Sequence, residues 1–150
     1  MKLLVVLFFC WSFFCAASIR AEMLSIKGDS VHLRNGPGKE YSVLCEYGSG
    51  FPVEVLEKKG NWLKVRDFEK DSGWIHKSLL VKSPQVIVTA NKNKEGTVNI
   101  RKGPGSDQKI VGKAYYGVVF KVIRQQAGWI EVLHESGLSG WVSSRLLWGL

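Results

Sequence analysis

The chain matches itself. Shifted by 67 residues, Val31 to Leu80 lies over Val98 to Leu147 without a gap. Arg34-Asn35-Gly36-Pro37-Gly38 meets Arg101-Lys102-Gly103-Pro104-Gly105, and Gly50 meets Gly117. Trp62-Leu63-Lys64-Val65 meets Trp129-Ile130-Glu131-Val132. Gly73-Trp74-Ile75 meets Gly140-Trp141-Val142, and Leu79-Leu80 meets Leu146-Leu147. These matches fall on glycine, proline, tryptophan and apolar residues, where backbone and packing restrict choice most. The sequence therefore encodes a duplicated domain of about 60 residues, a size that folds alone with little margin. A solenoid would need about three or more, shorter repeats.

Each copy reads as all-β. Val53-Glu54-Val55, Leu63-Lys64-Val65-Arg66 and Phe120-Lys121-Val122-Ile123 alternate apolar with polar residues. Turn signals separate them at Gly48-Ser49-Gly50, Lys59-Gly60-Asn61 and Ala127-Gly128. No sustained helical period occurs after the leader. Short strands with turns about every ten residues indicate a small barrel or sandwich. In Gly-Pro-Gly, Pro37 sets φ near about −65° and Gly38 is then free to take positive φ. The motif bends a strand sharply into a loop. Phosphate-cradling glycine loops need a helix N-terminus after them, and neither copy has a helical pattern there, which argues against nucleotide binding.

The first 21 residues stand apart. Lys2 precedes an apolar and small run from Leu3 to Ala17. That run suits a secretory signal peptide and is short for a membrane span of about 20 residues. Cleavage after Ala17 or Ala21 is expected; the alternative is an uncleaved anchor. Export to the periplasm or outside the cell follows, with no stable membrane span after cleavage. Cys10 and Cys15 lie in this leader, so the mature chain keeps Cys45 alone and has no internal disulfide. Cys45 is expected to be a small buried apolar residue, with a free surface thiol as the alternative.

The formal charge is +8, from 21 basic and 13 acidic residues. Glu22 to Ser83 is balanced at 10 basic and 9 acidic, whereas Pro84 to Leu150 carries 9 and 4. A basic exported protein meets anionic polymers such as cell-wall glycans, teichoic acids or lipid headgroups. Nucleic acid is not expected as a partner, and the dispersed charges also fit a plain solvated surface.

Taken in order, the motifs resemble bacterial SH3 domains: Arg-x-Gly-Pro-Gly after a strand, a Gly-x-Gly turn and a Val-x-Val strand come first. Trp-Leu-Lys-Val, Gly-Trp-Ile and Leu-Leu then close the unit. The resemblance spans both repeats. It implies two tandem SH3-like β-barrels, in domains 22–82 and 83–150 behind a signal peptide at 1–21. It also implies that Gly-Pro-Gly lies in the long loop beside the groove. Copy two departs at Tyr115-Tyr116 and at Ser143-Ser144-Arg145, so its groove is expected to differ.

Alternation then selects candidate ligand contacts. With Leu63 and Val65 inward, Trp62, Lys64 and Arg66 share the outer face. Trp129 repeats this, and an inward Ile75 places Trp74 and His76 outward together. Exposed aromatics offer rigid flat contacts to peptides or sugars. Trp62 and Trp129, beside the turn that borders the groove, are assigned to recognition, and Trp74 and Trp141 to structure. Tyr41 and His76 join the first groove. Arg34 and Arg101 are left open between a salt bridge within the barrel and a ligand carboxylate.

His32, His76 and His134 form no metal-ligand spacing, and Cys45 has no evident base. No cofactor, metal or catalytic site is therefore expected. The two repeats also occupy the chain after the leader, so no separate catalytic domain is expected. The expected function is non-catalytic envelope binding, with cell-wall peptidoglycan peptides in the grooves. The alternative is a periplasmic or secreted scaffold that binds a protein partner through the same surface. The short linker at Ser83-Pro84 sets the barrels close together.

Overall fold

The computed structural model describes residues 21–93 and 96–150. The expected signal peptide lies outside the described residues, except for Ala21. Among the described residues, no helix is long and apolar enough to cross a membrane.

The chain forms two seven-stranded antiparallel sheets. The first holds β1 (Glu22–Ile26), β2 (Val31–Arg34), β3 (Val43–Tyr47), β4 (Pro52–Lys59), β5 (Trp62–Arg66), β6 (Ser72–His76) and β7 (Leu80–Val81). The second holds β8 (Gln85–Val88), β9 (Val98–Arg101), β10 (Ile110–Ala114), β11 (Val119–Gln126), β12 (Trp129–Leu133), β13 (Ser139–Ser143) and β14 (Leu147–Trp148). Strand order is β3-β2-β6-β5-β4-β1-β7 in one and β10-β9-β13-β12-β11-β8-β14 in the other, the same topology twice. A single 3-10 turn, Lys77–Leu79 or Ser144–Leu146, precedes each closing strand. The all-β tandem reading of the sequence holds.

Each sheet curls around its own core. Ile26, Val31, Leu33, Val53, Val65 and Ile75 fill the first, and Val86, Ile100, Phe120, Ile130, Val132 and Val142 the second. The long strands β4 and β11 bend at matching bulges, between Val55 and Glu57 and between Val122 and Arg124. The extra residues Leu56 and Ile123 point out to solvent, as bulged residues do when a strand turns a barrel corner. The Gly-Trp motif has a separate cause. A Cβ on Gly73 would lie 2.7 Å from the Arg34 carbonyl oxygen, and one on Gly140 would lie 2.7 Å from that of Arg101. Only glycine lets β2 cross β6, and β9 cross β13, at that distance.

The duplicates fill their cores differently. Tyr47 of the first corresponds to Ala114, and Val53 to Phe120. One barrel is large at the first position and small at the second; the other reverses this. Tyr47 is buried and its hydroxyl donates to Asp67 Oδ2 at 2.9 Å. Burial, then the bond to Asp67, pushes the phenol pKa well up. In the second barrel His134 takes the place of Asp67, and its ring meets the edge of Phe120 at 5.6 Å. Volume is conserved across each pair of positions, the kind of exchange that cores accept.

One sequence expectation is corrected here. Cys45 is an exposed free thiol, not a buried apolar residue. It sits on β3, an edge strand whose register slips at Leu33 and Arg34. The equivalent Gly112 is covered by Leu138, but the position matching Leu138 holds Asp71, which supplies no apolar cover. Trp74 and Trp141, which alternation puts outward and which are assigned to structure, are buried at 9% and 3% exposure but lie outside the two core clusters. In β6 and β13 the glycine, tryptophan and next apolar residue are all buried, so both sheet faces are covered there. The Arg124 guanidinium lies 5.0 Å above the Trp141 ring, and its Nε donates to Glu131 Oε2 at 2.6 Å.

The barrels touch directly. Phe68, in the loop between β5 and β6, meets Tyr116 at 5.4 Å and Trp148 at 6.4 Å between ring centroids. It also meets Phe51 at 5.9 Å, and Phe51 stacks on Tyr47. Glu69 accepts from the Tyr116 hydroxyl at 2.5 Å and from Lys92 Nζ at 2.8 Å. The Lys92 ammonium holds the Glu69 carboxyl below its usual pKa, and Glu69 raises that of Lys92. Ser25 Oγ donates to the Ser83 carbonyl at 2.6 Å, tying the linker to the first barrel.

Candidate binding grooves

The Arg-x-Gly-Pro-Gly loop is built by one network used twice. Arg34 Nη1 donates to the Tyr41 carbonyl at 2.8 Å, and Arg101 Nη1 to the Gln108 carbonyl at 2.8 Å. The amide of Asn35 donates to the Ser42 carbonyl, and that of Lys102 to the Lys109 carbonyl. Gly38 N reaches Gly36 O, and Gly105 N reaches Gly103 O, both at 3.0 Å. The arginine thus ties the start of the loop to its far side. Each arginine braces loop carbonyls, and among the described residues neither forms a salt bridge within its barrel. The expected positive φ at Gly38 is not found. Close approach makes the glycines necessary, because a Cβ on Gly36 would meet the Tyr41 ring at 2.2 Å. In the second copy the Gln108 side chain lies against Gly103 instead.

In the first barrel, cross-strand pairing of Trp62 with His76 sets their rings edge to face at 5.4 Å. His76 Nδ1 lies 2.8 Å from Ser78 Oγ and caps the 3-10 turn by accepting from Ser78 N. Trp62 and His76, expected together on the outer face, are therefore together and half-buried. Tyr41 is 42% exposed on the braced loop. Among the described residues, no ring contact joins it to Trp62 or His76.

In the second barrel Trp129 pairs with Ser143, and the smaller partner leaves room. A cleft of about 350 Å³ opens between the loop after β8, the 3-10 turn and the indole. Asn91, Asn99, Arg101, Trp129, Ser143 and Arg145 line it. A shallower depression continues past Trp129 over Gly105–Asp107 and the Ala127-Gly128 turn, sharing Ser106, Trp129, Ser143 and Arg145. Trp129 was expected from the sequence; Asn91, Asn99 and Arg145 were not. The signal for Arg145 was its place at a departure between the copies, where the first has Ser78. The signal for Asn91 was the loop between β8 and β9, longer than the Lys27–Ser30 connection it replaces.

The histidines are otherwise engaged. His32 Nε2 lies 3.3 Å from Glu46 Oε2 across strands, and His134 Nδ1 lies 2.8 Å from Ser136 Oγ. Among the described residues, no group of three His, Cys, Asp or Glu side chains is placed to hold a metal ion.

Residues 27–82 match the profile described as "Bacterial SH3 domain", and residues 96–147 match a second profile with that description. YrvJ of Bacillus subtilis (strain 168), by its name a candidate N-acetylmuramoyl-L-alanine amidase, is 28% identical over 125 residues. The match covers 79% of this chain and 24% of that protein, so the chain spans about a quarter of the relative's length. Among solved structures, an NlpC/P60 family protein from Bacillus cereus ATCC 10987 aligns at 15% identity and TM-score 0.38. That alignment covers 85% of this chain and 56% of that one. NlpC2 from Trichomonas vaginalis aligns at 13% identity and TM-score 0.37, covering 86% and 48%.

Proposed function

The chain belongs to the bacterial SH3 domain family, with two such domains in tandem, and on that premise we propose that it is a non-catalytic cell-envelope protein whose grooves hold cell-wall peptides. The observation that carries the reading is a half-buried tryptophan at the same groove position in both barrels, Trp62 and Trp129, beside a rigidly braced loop. A fixed flat ring offers apolar area at small entropic cost. The name of the relative YrvJ points to the muramoyl–peptide linkage of peptidoglycan, which supports a wall-associated reading of this chain. Binding would bring such chemistry to its polymer without either barrel performing it. Two grooves on one chain raise avidity wherever one polymer reaches both. Export to the envelope follows from the leader and from this ligand.

Retention on purified peptidoglycan sacculi tests the proposal. The protein should sediment with sacculi free of other proteins, and Trp62→Ala and Trp129→Ala should each weaken retention. A parent protein left in the supernatant would sink it. Retention that appears only when envelope proteins are added back would favour the scaffold reading.

A further inference from the structure

We infer that the cleft of the second barrel recognises a carboxylate, the free C-terminus of an extended peptide, through Arg145 and Arg101 beside the Trp129 ring. The inference rests on reading the groove as a peptide site. Both arginines line the cleft, and among the described residues no aspartate or glutamate does. The remaining polar wall is rich in donors, from Asn91, Asn99 and Ser143. Asn91 already spends its Nδ2 on the Thr97 carbonyl. Asp107 lines the neighbouring depression, and its Oδ2 lies 3.4 Å from Gln108 Nε2.

The two copies differ in the way this reading requires. Arg34 spends Nη1 on two carbonyls, those of Lys39 and Tyr41, whereas Arg101 spends it on Gln108 alone. Arg101 is therefore held in place with donors to spare. Arg145 makes no ion pair among the described residues, and its counterpart Ser78 is committed to His76. The first groove has a ring where the second has space and positive charge. Planar guanidinium forks match carboxylate geometry. The indole gives the last side chain of the peptide an apolar floor. A phosphate shares the charge but does not use that floor.

The test is a titration of the full mature chain, read at the Trp129 indole N–H by NMR. The probes are acetyl-Lys-D-Ala-D-Ala as the free acid, the same peptide as its C-terminal amide, and glycerol 3-phosphate. The acid should bind at least about tenfold more tightly than the amide, the effect of one charge-assisted hydrogen bond. Arg145→Ser, which restores the serine of the first copy, should abolish that preference. Lys113→Ser, removing an equal charge from the edge strand β10, should leave it intact. Equal binding of acid and amide would overturn the carboxylate inference and leave the groove reading standing. So would tighter binding of glycerol phosphate, or an equal loss of preference in Lys113→Ser. No shift at Trp129 with either peptide would overturn the groove reading and the inference with it.

Discussion

Replacing Phe68 by alanine asks whether the two barrels act as one body. Phe68 sits in a polar loop of the first barrel and is half-buried against Tyr116 and Trp148 of the second. Full burial of a phenylalanine is worth about 1.5–3 kcal/mol, so half-burial contributes about 1–1.5 kcal/mol. An aromatic pair adds about 0.5–1.5 kcal/mol at good geometry. With two pairs crossing the interface at less than ideal distance, the full loss should be about 2 kcal/mol. Part of that belongs to Phe51, within the first barrel. The share that couples the barrels should therefore be about 1 kcal/mol. A double-mutant cycle with Tyr116→Ala isolates it, using urea unfolding followed through amide peaks of each barrel. Contacting residues show coupling of about 0.5–3 kcal/mol, whereas independent sites add within about 0.5 kcal/mol. Phe68→Ala should also let the barrels tumble separately in ¹⁵N relaxation. Additive single effects, with tumbling unchanged from the parent, would show that this aromatic contact does not join the domains in solution.

Gly140→Ala forces a Cβ to within 2.7 Å of the Arg101 carbonyl, so it should destabilise the second barrel by about 1–3 kcal/mol and the first by no more than the coupling of about 1 kcal/mol between them. Asp67→Ala strips the buried Tyr47 hydroxyl of its acceptor and frees the Glu69 and Asp71 amides. It should cost the first barrel about 2–3 kcal/mol in urea titrations, more than Tyr47→Phe, which removes donor and need together. Glu69 has its pKa lowered by Lys92 and Tyr116, so its contribution is present above the usual glutamate pKa of about 4.3 and is lost as pH falls through the lowered value. Inter-barrel order should therefore loosen as pH falls below the usual glutamate range, and in Glu69→Gln ¹⁵N relaxation should show no such acid-dependent step. Cys45 is exposed on β3 and should alkylate with iodoacetamide in the native protein; reaction only after denaturation would contradict the edge-strand placement.

The duplication made the fold legible. Matched tryptophans and glycines 67 residues apart mark the two copies, and the alternation in Trp62–Arg66 and Trp129–Leu133 gives the inward face correctly. Period-two reasoning gives the face a side chain takes and not whether that face is covered, so it does not report the burial of Trp74 and Trp141. Residue type misleads at Cys45, where a usually buried side chain sits exposed on an edge strand. The Gly-Pro-Gly turn was located correctly but explained by the wrong glycine property. Its constraint is a neighbouring ring, and no rule of backbone dihedrals reports that. The inter-barrel contact had one visible trace, a phenylalanine between Asp67 and Glu69. An aromatic in an acidic loop gains nothing from water and needs a partner. That the partner was the other copy followed only from three dimensions.

The copies have kept what builds the groove and changed what fills it. Arginine, Gly-Pro-Gly and tryptophan persist because each has a geometric duty: brace, close approach and a fixed ring. His76 and Ser143 face those tryptophans from the same register position, yet one supplies a ring and the other a hydroxyl. A closed aromatic pair favours a flat, neutral stretch of ligand. An open cleft with spare guanidinium donors favours a charged end. Were the copies redundant, drift would have no reason to separate apolar from cationic lining so cleanly between equivalent positions. Two unlike grooves on joined barrels suit a single peptide polymer read at two chemically different places. The order of reading is open to direct trial, because Trp62→Ala should weaken retention on sacculi to the same extent whether or not peptide C-termini are amidated, while Trp129→Ala should weaken it most where they are free.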